Sequence, residues 1–165
     1  MNFQIRRIEP IAEPLLVDQA WDYADSFEVL LDQPDDHSAQ EWIQAAVGRL
    51  GDRTRRLVMF VHRRIVRFDF GRDDENGLLG WSPLVTGHDV TAVQADGPIV
   101  RAVLVARRQG PARCTSSTYL FFHKQGQARL MWMLVRPLHL EVERRLLAGA
   151  ASTICARTSE RPMQR

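Results

Sequence analysis

A chain of 165 residues with 45% hydrophobic side chains has enough apolar mass for one domain with a sizeable core. Its 22 basic and 20 acidic residues nearly cancel, to a formal +2, which gives no whole-chain field of the kind that gathers nucleic acid or anionic membranes. Two cysteines make no disulfide framework, and there is no run of about 18 uncharged apolar residues; a reducing cytoplasm is therefore expected, and a membrane span is not.

Residues 1–20, interrupted by Pro10 and Pro14, read as an N-terminal arm. Arg6-Arg7 is followed by Glu9-Pro10 and Glu13-Pro14, which leaves no signal-peptide core. From Trp21 to Leu31, aromatic or aliphatic residues alternate with polar ones, as in a half-buried strand. After the 33–37 loop, Ser38-Ala-Gln-Glu41 has the form of a capping box. The helix it starts carries Trp42, Ala45, Ala46, Val47 and Leu50 and ends near Gly51. A second helix from about Arg53 places Leu57, Val61, Ile65 and Phe68 on one stripe, with Arg56, Arg63 and Arg67 on another side. The run Arg72–Gly77 is expected as an exposed turn whose Asp73, Asp74 and Glu75 partner those arginines.

The period then changes to two. Residues 78–85, 88–94, 99–107, 113–123 and 128–135 read as strands, separated by Gly87, Asp96-Gly97-Pro98, Gly110-Pro111 and Gln125-Gly126. Pro137 is expected to stop the last strand and pass it directly into an amphipathic helix over 138–151, with 152–165 as a flexible tail. The order predicts an α+β domain over 21–151 of helix-grip type. About six antiparallel strands would curve around a long C-terminal helix, two helices would follow the first strand, and a cavity would lie between sheet and helix.

The junction Leu134-Val-Arg136-Pro137-Leu138-His139, followed by Val142, Arg144, Leu146 and Leu147, resembles the C-terminal signature of a bacterial domain-of-unknown-function family, number 2867. That family is placed near the START and polyketide-cyclase-like (SRPBCC) superfamily. Tyr23-Ala-Asp25-Ser-Phe27 is similar to its opening strand, and Trp42 fits its first helix. Two positions depart from the pattern. Pro98-Ile99-Val100-Arg101 stands where a His-Leu-Asp-Phe-like strand opening is expected, and Leu138 replaces a phenylalanine. The resemblance implies a helix-grip fold holding an apolar, lipid- or polyketide-like ligand, with cyclisation or dehydration in some members.

Catalytic signals are sparse. The histidines at 37, 62, 88, 123 and 139 show no i, i+4 pairing, and there is no Cys-x-x-Cys, so neither a metal nor a cofactor is expected. His88-Asp89 are neighbours on an expected strand, where they would face opposite ways. His139 is expected to cap the last helix as a neutral imidazole with Arg136 beside it, and Cys114 to be a quiet thiol. The aromatic residues Trp81, Tyr119, Phe121 and Trp132 fall on separate or alternating strand positions, and with Arg101 they are the expected cavity lining.

Three readings follow. The first is a binder of a small hydrophobic ligand. The second is a cyclase-, dehydratase- or hydrolase-type enzyme using Tyr119, Arg101 or His123, which requires two of these to converge in one cavity. The third is a protein-interaction module, with a homodimer among its forms. The arginine-rich second helix lacks interleaved aromatics and is not expected to bind nucleic acid.

Overall fold

A computed structural model describes residues 2–70 and 79–160, with side chains described through residue 157. Six antiparallel strands form one curved sheet in the order β1-β2-β6-β5-β4-β3. They are β1 (Phe3–Ile8), β2 (Tyr23–Leu31), β3 (Ser82–Thr86), β4 (Val90–Ala95), β5 (Val100–Gly110) and β6 (Arg113–Phe122). Helices α1 (Ala39–Gly48) and α2 (Asp52–Phe60) lie between β2 and β3, and α2 runs on into a π-helical segment, Val61–Val66. Helix α3 (Gln125–Glu160) closes the described chain and packs on the sheet. The arrangement is α+β and helix-grip, with the helix pair after the second strand and not the first.

The local signals behave as physical chemistry requires. Ser38 Oγ accepts from the Glu41 amide and the Glu41 carboxylate accepts from the Ser38 amide, so the capping box is closed in both directions. Gly110, at φ +144, takes the register shift at the end of β5, where a side chain would be strained. Gly149 lets α3 approach α1: a Cβ there would lie 2.9 Å from that of Arg49.

Four expectations are corrected. Residues 1–20 are not a loose arm. Phe3 to Ile8 pair with β2 along their full length, and Phe3 and Ile5 pack on the core. The residues that follow lie against the back of the sheet, where Leu16 is buried and Glu13 pairs with Arg107 at 2.6 Å. Residues 128–135 are not a strand, and 138–151 is not a separate helix; both belong to α3, with Pro137 inside it. The run Leu130–Val135 is apolar throughout, and such a run fits either element. The structure buries Ala128, Trp132 and Val135, at helical spacing, and exposes Leu130, Met133 and Leu134. Pro137 is itself exposed, so water can take the hydrogen bond its missing N–H would have made. Nor is 152–160 a frayed tail, since α3 continues through it with Ile154 and Cys155 buried; residues 161–165 lie outside the described residues.

Last, the stripe on the second helix is rephased. Val58, Val61, Val66 and Phe68 are buried, while Leu57 and Ile65 are exposed. A π turn bonds i to i+5 and rotates the residues after it relative to an α-helical stripe. The turn expected at 72–77, with the acidic partners Asp73, Asp74 and Glu75, lies outside the described residues.

The capping box holds the start of α1, which packs on α3 and forms part of the cavity wall. Ser38→Ala is expected to lower the unfolding free energy by about 1 kcal/mol, read as a shifted urea midpoint at unchanged slope.

Candidate functional site: an apolar cavity with a polar end

Between the front face of the sheet and the helices lies a cavity of about 140 Å³. Strand alternation sets its floor: Val100, Ala102 and Leu104 of β5, with Thr118 and Leu120 of β6, point into it. Ile43 and Val47 of α1, Val58 of α2, and Trp132, Val135 and Leu138 of α3 complete the apolar walls. The cavity exists because β5 and β6 present small residues beneath a helix that cannot follow the sheet's curvature.

Among the lining residues the polar groups are few: His62, Thr118, His139 and Glu143, with the indoles of Trp81 and Trp132. His139 and Glu143 stand one helical turn apart on α3 and face the sheet together. His139 Nε2 lies 3.3 Å from Asp25 Oδ2 of β2 and 3.9 Å from Glu143 Oε2, within ion-pair reach though not aligned as a hydrogen bond. Asp25 Oδ2 accepts from Tyr23 Oη at 2.6 Å, and Glu143 Oε1 accepts from Ser116 Oγ at 2.6 Å. Asp25 and Glu143 are buried, and the His139 side chain keeps 20% of its surface accessible where it meets the cavity. Asp25 Oδ1, Thr118 Oγ1, Trp132 Nε1 and His62 Nδ1 are buried with no aligned hydrogen bond.

The environments drive the two imidazoles in opposite directions. Burial opposes a charge on His139, but Asp25 and Glu143 outweigh it and raise its pKa above the ordinary 6.5. Among the described residues no acidic side chain pairs with His62. Its ring is packed against Phe68, Phe70 and Trp81 at centroid distances of 5.4 to 5.9 Å. Burial, helped by the His139 charge, pushes it down to about 4. Glu143 is raised, chiefly by burial, and Tyr23 is raised to about 12 by burial and its bond to Asp25.

The structure divides the expected site residues between two faces. Trp81 and Trp132 line the cavity, whereas Arg101, Tyr119 and Phe121 do not. Tyr119 points to the back of the sheet, where its hydroxyl donates to the Ile11 carbonyl at 2.7 Å and Trp21 meets its ring edge-on. Arg101 lies over the Phe121 ring at 4.3 Å and bonds Gln19. His123 pairs with Asp96 at 2.8 Å, half exposed. The convergence that the enzyme reading required of Tyr119, Arg101 and His123 is therefore not met in this cavity.

His88 and Asp89 precede β4, in a bend and not on a strand, so their side chains do meet, at 2.9 Å, exposed to solvent. Cys114 is buried and its thiol is pushed up to about 12 by burial, as suits a quiet residue. Among the described residues no three His, Cys, Asp or Glu side chains cluster as metal ligands, and no helix is long and apolar enough to cross a membrane.

His139 is no helix cap, because it lies well inside α3. With Asp25, Glu143 and His62 it forms the polar group that sequence reasoning missed. Two signals pointed to it. Residues 23, 25, 27, 29 and 31 share one face of β2, and Asp25 is the one charge among Tyr23, Phe27, Val29 and Leu31. His139 and Glu143 are an i, i+4 pair once residues 125–160 are one helix.

A second buried carboxylate, Asp35, carries no comparable meaning. It binds His37, Trp42 and Arg108 and ties the 33–37 loop to α1 and β5. Comparison with protein-family models, curated proteins and solved structures gave no match.

The shift of His62 has a signed consequence for stability. Below pH 6.5 the unfolded chain takes up a proton that the folded protein refuses until about pH 4, so stability is lost as pH falls through that window, by on the order of 3 kcal/mol. His139 and Glu143, both raised, act in the opposite sense, since their contributions are lost as pH rises through their folded values. His62→Phe is expected to remove the acid-side loss, which the difference between wild-type and variant urea midpoints at pH 4.5, 5.5 and 6.5 will show. Parallel pH curves for the two proteins would contradict it.

Proposed function

We propose that the protein binds a small, largely apolar molecule in the cavity beneath α3. The observation that carries this reading is the cavity itself, about 140 Å³, walled by aliphatic and aromatic side chains with only His62, Thr118, His139 and Glu143 as polar residues besides the indoles among its lining. An enclosed apolar space of roughly 150 Å³ takes up benzene. The size therefore favours single-ring or short-chain members of the lipid- and polyketide-like class, and a sterol would require α3 to lift. The resemblance to family 2867 and its helix-grip superfamily supports the same class of ligand without adding a residue to the site.

Ala102 sits on the cavity floor with almost no exposed surface. Ala102→Leu places three further carbons in the open space and is expected to cost less than the roughly 1–3 kcal/mol typical of overpacking a filled core. Addition of p-cresol or cyclohexanone to the wild-type protein is expected to shift the methyl resonances of Val100, Leu120 and Val135 and to raise the melting temperature. Ala102→Leu should weaken both effects at least several-fold. If the wild-type protein shows neither shift nor stabilisation with either probe, the reading is wrong.

A further inference from the structure

Two imidazoles from different elements face this one cavity, His139 from α3 and His62 from the π-helical segment. Their surroundings are unlike. His139 has Nε2 turned toward Asp25 and Glu143, and each carboxylate is held by a hydroxyl from the sheet, Tyr23 for one and Ser116 for the other. The nearby carboxylates favour the tautomer with its hydrogen on Nε2, which leaves the lone pair of the neutral ring on Nδ1. His62 is packed against three aromatic rings, so it stays neutral and can donate a hydrogen bond without surrendering its proton. Two more groups with hydrogens to donate line the same space: Trp132 Nε1, buried without a partner, and Thr118 Oγ1, buried beside Glu143 with no aligned hydrogen bond.

A buried donor left unpaired costs on folding, and three of them around a base fit an oxygen-bearing guest. The charges restrict which guest. Asp25 beside the base and Glu143 in the cavity wall oppose a ligand carboxylate or phosphate, so a neutral carbonyl compound fits and an anion does not. Hydrolysis by a protein nucleophile is disfavoured, since Ser116 is engaged by Glu143 and Cys114 lies in a different core cluster.

We propose that this cavity is a proton-transfer site for a small neutral ketone, with His139 as general base and His62, Trp132 and Thr118 as donors to the ketone oxygen. This rests on the cavity reading above. In the step, the C–H bond next to the carbonyl breaks and its proton passes to His139 Nδ1. The electron pair forms a carbon–carbon double bond while the carbonyl π pair moves onto oxygen, where the three donors meet the developing charge. Return of a proton to the same carbon gives exchange with solvent; return two carbons along an unsaturated ketone gives a shifted double bond. No oxidant or second substrate is consumed. Asp25, from β2, is a positioning residue, since it acts through His139. The charged or titratable groups acting on His139 are Asp25, Glu143 and Arg7, with His62 across the cavity.

The experiment incubates the whole protein with cyclohexanone in D2O and follows loss of the α-CH2 signal by proton NMR, while cavity methyl shifts report binding in the same samples. The wild-type protein is expected to accelerate exchange at least ~100-fold over buffer. The rate should rise with pH through the titration of His139, above pH 6.5, its ordinary value. His139→Gln should return the rate to that of buffer with the methyl shifts retained. Asp25→Asn should lower the rate and move the pH profile to lower pH, an effect that a purely structural role for Asp25 would not produce. Should His139→Gln fail to fold, that moved profile in Asp25→Asn carries the test. Methyl shifts with exchange at the buffer rate would overturn the proton-transfer proposal and leave the cavity reading standing. No methyl shifts at all would remove the cavity reading, and this proposal with it.

Discussion

The structure depends on one constraint: a single long helix, α3, must cover the front of a curved sheet. It makes contact in two places. Toward its C-terminal end Leu147, Ala150, Ala151 and Ile154 pack on Phe27, Val29 and Leu31 of β2 and on Trp42 of α1. Toward its N-terminal end Trp132 and Val135 pack on β5, β6 and the π-helical segment. Between these contacts the sheet offers the short side chains Ala102, Ser116 and Thr118, and Ser116 meets α3 only because Glu143 reaches down to it. A rigid cover over a short-side-chained floor leaves space, and the position of that space is fixed by where the small residues fall.

The same gap explains the electrostatics. Core packing would place apolar residues at 25, 139 and 143, because buried charges cost several kcal/mol each unless well paired, and an apolar set of equal volume is often as stable or more so. Here an acid, a base and a second acid share a buried site, together with several unpartnered polar atoms. Pairs of titratable groups pushed apart in pKa within one cleft are a feature of reactive sites more than of structural ones. His139 and His62 form such a pair, and the difference comes from their neighbours: carboxylates around one, aromatic rings around the other.

Much of the fold was legible in the sequence, and the losses have physical causes. The meander from 90 to 122, the helix after Ser38 and the helix-grip class follow from alternation, turn residues and a capping box, all of which are local signals. The Ala128–Val135 error arose because an unbroken apolar run carries no period, and because Pro137 reads as a stop although a proline on a solvent-facing side of a helix is tolerated. The N-terminal error arose because Pro10 and Pro14 do interrupt regular structure, yet they sit in a segment that packs across the sheet's back. That segment also explains the misplaced site residues. With both faces covered, nearly every residue of β6 is buried. Alternation then says that Tyr119 and Phe121 share a face, but not which face holds the cavity. The charge at position 25, inside an otherwise apolar inward register, was the better guide.

The cavity is a departure from close packing. Side chains that line about 140 Å³ of open space forgo the contacts that a filled core would give them. The buried carboxylates and unpartnered donors at its polar end add to that cost. A leucine at position 102, or a larger residue at 118, would fill part of the space. Small residues on the floor, buried charge at one end and neutral aromatics at another each reduce stability, and all three converge on a single volume. The ring-sized, oxygen-bearing guest proposed above would offset them together, because it would fill the space and satisfy the donors in the same event.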